Sequence, residues 1–152
     1  MNNENKIIIY QVFTRLFGNN NNHCVYNGDI VTNGCGKMAD FTLKALSEIK
    51  KLGTTHIWYT GIIEHATQTD YRRYNISPDH PAIVKGKAGS PYAIKDYYDV
   101  DPDLANDIPE RMREFENLVR RTHRAGLKVI IDFVPNHVAR QYHSDAQPDG
   151  TT

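Results

Sequence analysis

The stretch Leu127-Lys128-Val129-Ile130-Ile131-Asp132-Phe133-Val134-Pro135-Asn136-His137 decides the fold. Gly126 precedes it and reads as the stop of a helix. The run is short and nearly continuously apolar, broken only by Lys128 and Asp132 before it reaches Pro135. Such a run predicts a strand buried on both faces of a parallel sheet. It then turns polar. Pro135 has no N–H to give a ladder, and Asp132, Asn136 and His137 gather at the C-terminal end. In α/β sheets and barrels, ligands meet the protein at the carboxyl ends of strands, so these groups stand where chemistry is expected.

Upstream of Gly126, Asp107 is a candidate N-cap, with Pro109 in the first turn, where a missing N–H costs nothing. Met112, Phe115, Val119 and Thr122 fall on one side of the helix so predicted, and Arg113, Glu116, Arg120 and Arg124 face solvent. A second helix is predicted between Asp40, a candidate N-cap, and Gly53, with Phe41, Ala45, Leu46, Ile49 and Leu52 facing the core. Ile7 to Phe13 and Thr55 to Ile63 are rich in β-branched and aromatic residues and read as two more strands. His56, inside the second, reads as a structural residue. Gly18 and the asparagines Asn19 to Asn22 open a long turn-forming loop after the first strand, expected to be flexible and solvent-facing. The order is strand, helix, strand, long loop, helix, strand. Strands joined through helices must run parallel.

Glu64 to Asn106 shows no sustained helical or alternating pattern. Roughly forty residues without a regular element usually mark a functional loop or disorder. Tyr71, Tyr74, Tyr92, Tyr97 and Tyr98 with Ile76, Ile83 and Ile94 argue against disorder. The segment reads as a structured excursion above the strand ends. Its tyrosines suit either stacking on flat sugar faces or plain packing onto the barrel top, and packing is the better account of most of them. After His137 the chain reads as loop.

Composition narrows the function. Eighteen basic residues balance eighteen acidic ones, which disfavours a nucleic-acid partner. No apolar run approaches the ~20 residues of a membrane span. The polar Met1-Asn2-Asn3-Glu4-Asn5-Lys6 start is not a secretory signal, so a cytoplasmic location and free thiols at Cys24 and Cys35 are expected. His23, Cys24 and Cys35 lack zinc-ligand spacing, and His137 and His143 have no partner motif. Gly34-x-Gly36 lacks the strand–turn–helix context of a phosphate loop, and no Gly-x-Ser-x-Gly elbow occurs.

Asp132-Phe-Val-Pro-Asn136-His137 resembles the first signature motif of the α-amylase family, glycoside hydrolase family 13: Asp, three residues, Asn-His. Ile9 to Phe13 resembles that family's first barrel strand, and Leu52 to Trp58 the entry to its second. Ser90 to Tyr98 resembles its Tyr, three residues, Asp-Tyr element, and Ala125 to Asp132 the join into its third strand. The resemblance covers most of residues 7–138 in the right order. It implies an α/β fold: a partial (β/α)8 TIM barrel, its first three parallel strands with two helices and a long loop after the second strand. Residues 1–152 are then the N-terminal third of a glycosidase barrel, with strands four to eight absent.

Carried over position by position, the resemblance makes His137 a hydrogen-bonding contact to the sugar at the cleaved bond and Tyr92 an aromatic platform beneath it. Asp96 and Asp132 match positions that brace the loop and the strand end. Asn136 matches an oxygen ligand of a structural calcium, Ca2+, in the longer parent; no tight cation binding is expected of the fragment. The family cleaves α-glucosidic bonds with retention, using two carboxyl groups about 5 Å apart. In the family these residues follow later strands, and no residue here matches them. Asp145 and Asp149 are not substitutes. The resemblance therefore implies a fragment of an enzyme acting on α-glucans or maltooligosaccharides, inactive by itself. Transglycosidase or sugar-isomerase chemistry on the same fold stays open, as does a non-catalytic glucan-binding or inert chain. Three strands leave an open edge, so self-association is expected.

Overall fold

The computed structural model describes residues 6–148. Expectations placed on Met1–Asn5 and on Asp149 lie outside them. In chain order, β1 (Ile9–Phe13) leads through a short helical turn, α1 (Ile30–Asn33), into α2 (Leu43–Lys51) and β2 (His56–Thr60). β3 (Ile63–His65) pairs with β4 (Ile94–Val100), and α3 (Arg111–Arg124) and β5 (Lys128–Ile131) follow. β1, β2 and β5 form one parallel sheet in that order, with Tyr10 beside Ile57 and Ile57 beside Val129. The predicted parallel α/β order is what the chain adopts.

The main core lies between this sheet and the two long helices. Phe41, Leu46, Ile57, Tyr59, Leu104, Leu118 and Leu127 are all essentially inaccessible there. Each fully buried large side chain contributes roughly 1.5–3 kcal/mol. Thr122 Oγ1 donates to Leu118 O at 2.9 Å, so the 2.7 Å contact between Tyr59 and Thr122 has the tyrosine as donor. Burial pushes the Tyr59 hydroxyl up to about 12, which keeps that donor neutral. Arg121 reaches across to Phe41 O at 3.1 Å and Met38 O at 2.6 Å, fixing α3 against the approach to α2.

Several expectations are corrected. Thr42, not Asp40, caps α2, accepting from Ala45 N at 3.2 Å. Asp40 instead closes the preceding turn by accepting from Lys37 N at 2.7 Å. Asp107 makes no side-chain cap; the Glu114 carboxylate reaches back to the Asn106 and Asp107 amides. Leu52 and Met112 are exposed, because Leu46, Ile49, Phe115 and Leu118 already fill the space between helices and sheet. The second strand does not run to Ile63. Gly61, at φ +81°, turns the chain out of the sheet, and β3 starts a second one. β5 is not buried on both faces: it is an edge strand in the described residues, and Phe133 beyond it is 71% exposed.

The excursion also differs from its sequence reading. It holds an antiparallel pair, β3 with β4, whose register is irregular. The loop after β1 is ordered by its own side chains, with Asn19 Nδ2 donating to Asn33 O and Asn21 Nδ2 to Thr32 O. The residues after His137 do not trail away. Ala139 N donates to Ile94 O at 2.7 Å and His143 N to Lys95 O at 3.1 Å, so the chain is tied to the start of β4.

Candidate functional site

Two adjoining grooves meet at Phe133, just past the carboxyl end of β5. One, of about 340 Å³, is lined by Ile9, Trp58, Tyr92, Asp132 and Phe133 among others. The other, of about 510 Å³, is lined by Tyr97, Phe133, Asn136, His137 and Tyr142 among others. Phe133 borders both, the first groove also being lined by Tyr92 and the second by His137. Tyr92 is 43% exposed, leaving much of its side chain open to a ligand. His137 is exposed, and its Nδ1 lies 2.8 Å from Asn136 Oδ1. With that oxygen accepting, Nδ1 holds the imidazole proton and Nε2 is the nitrogen left to accept from a ligand hydroxyl.

Asp132 joins two strand ends. One carboxylate oxygen accepts from the Trp58 indole N–H, the other from Gly61 N at 3.1 Å. Asp96 is fully buried beneath the excursion and lines neither groove. Its Oδ1 accepts from Tyr98 N at 2.8 Å, and its Oδ2 from Asp145 N and Ala146 N at 3.0 and 3.2 Å. Three amide donors hold that carboxylate in place. The structure thus gathers Tyr92, Asp132, Asn136 and His137 at the rim and sets Asp96 behind it.

Sequence reasoning missed what holds the excursion. Lys95 is buried, with Nζ 3.3 Å from Glu64 Oε1 and 3.6 Å from Asp79 Oδ2, and it also donates to Ser77 O. Burial pushes the Glu64 carboxyl up to about 8, against the pull of the Lys95 ammonium. His65 Nε2 donates to Ala88 O at 3.2 Å, while Nδ1 faces Asp101 Oδ2 at 3.4 Å. Desolvation raises the Asp101 carboxyl too. Arg111 forks onto Asp99, and Asp103 takes Arg15 at 3.2 Å and the Tyr71 hydroxyl at 2.7 Å. This is a polar interior, so it leaves no apolar periodicity in the sequence. The charge-rich Lys95-Asp96 and Asp99-Val100-Asp101-Pro102-Asp103 runs were the available signal.

Among the described residues Asp132 is the only carboxylate lining the two grooves, and both its oxygens are engaged. Retaining hydrolysis needs two carboxyl groups flanking the bond, and the described residues do not bring such a pair to the rim. Nor do they surround a cation: they contain no cluster of three or more His, Cys, Asp or Glu with metal-binding placement. Asn136 is a single oxygen, already facing His137. A third cavity, of about 580 Å³, lies between the loop after β1 and the excursion, and neither Tyr92 nor His137 lines it.

Comparison with known proteins settles the family. The family model for the alpha amylase catalytic domain matches residues 11–148. The chain belongs to the α-amylase family. It is 26% identical to a trehalose-6-phosphate hydrolase of Bacillus subtilis over 90% of its own length and 18% of that protein. It is 28% identical to the amino acid transporter heavy chain SLC3A1 of Mus musculus over 88% of its length and 14% of that protein. Among solved structures, a maltogenic α-amylase from Thermotoga neapolitana superposes with a TM-score of 0.55 at 30% identity. That superposition covers 93% of this chain and 26% of the amylase. The chain spans a fifth or less of the length of the curated relatives it matches. The parallel strands of this chain are therefore part of the α-amylase-family fold. Among the described residues no helix is long and apolar enough to cross a membrane.

Proposed function

We propose that this chain is the N-terminal portion of a retaining glycoside hydrolase that cleaves α-glucosidic bonds in starch-like glucans or maltooligosaccharides. The observation that carries this is that Phe133, just past the carboxyl end of β5, borders both the groove lined by Tyr92 and the groove lined by His137. An aromatic face suits the C–H face of a sugar ring, and an imidazole acceptor suits its hydroxyls. The chain's own residues bind and orient; the nucleophile and general acid would come from later strands. Asn136 would give one oxygen to a calcium ion whose other ligands lie outside this chain. The two unpaired thiols, Cys24 and Cys35, support a reducing, cytoplasmic compartment. The open side of β5 supports self-association of the isolated chain.

Titrating maltoheptaose into the chain while following the Trp58 emission tests the binding reading. Weak saturable binding, lost in Tyr92→Ala and His137→Ala, and no hydrolysis by the unmixed chain are the expected results. Binding unaffected by both substitutions, or turnover of maltoheptaose, would overturn the reading. A second reading is a non-catalytic glucan-binding or inert chain; an amino acid transporter heavy chain is among the relatives. Transglycosidases and isomerases share these first strands. The downstream sequence separates the readings: an Arg-x-Asp strand followed by a later Glu would favour an enzyme.

A further inference from the structure

The segment between Asp132 and Ala139 leaves the sheet, yet it holds two of the rim side chains. Its ends are fixed: Asp132 to β2, and Ala139 N to Ile94 O at 2.7 Å. Its middle meets Tyr97 of β4. The Tyr97 hydroxyl donates to Val134 O and lies 3.4 Å from His137 O. Its ring sits between Phe133 and Tyr142, with centroids 5.8 and 5.9 Å away. The chain from Phe133 to Tyr142 thus wraps one side chain. β4 is a firm base for it, because Ile94, Lys95 and Asp96 before it and Asp99 and Val100 after it are buried.

We infer that Tyr97 is a positioning residue for His137: its hydroxyl sets the path of the Val134–His137 backbone and so the place of the imidazole in the groove. A hydroxyl carries one proton, and here it is spent on a protein carbonyl. Tyr97 therefore acts on a sugar through His137. The inference rests on the reading of His137 as a sugar contact, but the tie between the two residues is testable without a ligand.

The test compares the 152-residue chain with Tyr97→Phe, which keeps the ring and drops the hydroxyl, and Tyr142→Leu, which drops a ring contact and keeps the hydroxyl bond. The readouts are the carbon–proton resonances of the His137 ring, the amide resonances of residues 134–138, and maltoheptaose affinity. Tyr97→Phe is expected to move the His137 ring and Val134–Val138 amide signals and to weaken maltoheptaose by about fivefold, the worth of one modest hydrogen bond. Tyr142→Leu is expected to leave the His137 ring signals in place. Unchanged His137 signals in Tyr97→Phe overturn the inference, as does an equal displacement in Tyr142→Leu. Displaced signals without any maltoheptaose binding, in wild type or variant, uphold the tie and sink the sugar reading alone. Should Tyr97→Phe fail to fold, the wild-type chain still decides. Nuclear Overhauser contacts between the Tyr97 ring and the Val134–His137 backbone are required, and their absence overturns the inference.

Discussion

Removing the Asp132 carboxylate should loosen the rim by a measurable amount. In the native chain it satisfies the Trp58 indole N–H and the amide of Gly61, a buried residue. Asp132→Ala leaves both donors without an acceptor. An orphaned buried N–H costs about 1–3 kcal/mol, and the half-buried indole can recover part of its loss from water, so a total near ~3 kcal/mol is expected. Asp132→Asn keeps one acceptor oxygen and turns an amide N–H toward the other donor, so about half of that loss remains. With a urea slope of about 1.5 kcal/mol/M, the midpoint should fall by about 2 M in the alanine variant and about 1 M in the asparagine variant. Trp58 is the sole tryptophan, so its emission reports both the transition and the loss of its own partner. Midpoints of both variants within about 0.3 M of wild type would refute the reasoning. An emission maximum unmoved in Asp132→Ala would refute the indole contact.

Two further outcomes follow. The buried Glu64 carboxyl sits above its free value, so the fold favours its neutral form; this contribution is intact below about pH 4.5 and is lost as pH rises through about 8. Thermal midpoints should therefore fall between those limits in wild type, and Glu64→Gln should flatten the fall; parallel profiles would show that Glu64 is not responsible. The open side of β5, with Ile131 and Phe133 exposed beside it, should drive association, and Ile131→Lys combined with Phe133→Lys should abolish it. Sedimentation velocity showing a wild-type monomer across the accessible concentration range would remove that expectation.

The parallel sheet was legible because apolar patterning states it directly: Ile9–Phe13, His56–Thr60 and Lys128–Ile131 are dense in β-branched and aromatic residues. The exposure of the third strand was not, since an apolar run looks the same whether or not a neighbour covers it. The start of α2 was misplaced because Asp40 and Thr42 are both competent caps and only the backbone path selects between them; Asp107 holds the cap position it was given, but the bonds there come from Glu114. The antiparallel pair in the excursion was invisible for a different reason. Its inward residues include Glu64, His65, Lys95, Asp96 and Asp99, so partner charges do the work that apolar alternation does elsewhere. At the rim, the motif singled out Asp132, Asn136, His137 and Tyr92. Tyr97 and Phe133 escaped notice because their roles depend on which backbone a ring or hydroxyl meets.

Asp96 receives its last two amides from Asp145 and Ala146, 49 and 50 positions further along the chain. On a ribosome adding about 5–20 residues per second, that carboxylate emerges several seconds before its partners. Through that interval β4 lacks the backbone donors of Ala139, His143, Asp145 and Ala146 that bond to it. The excursion is thus a late-setting part of the nascent polypeptide, and the peptide just after the signature histidine is the piece that locks it.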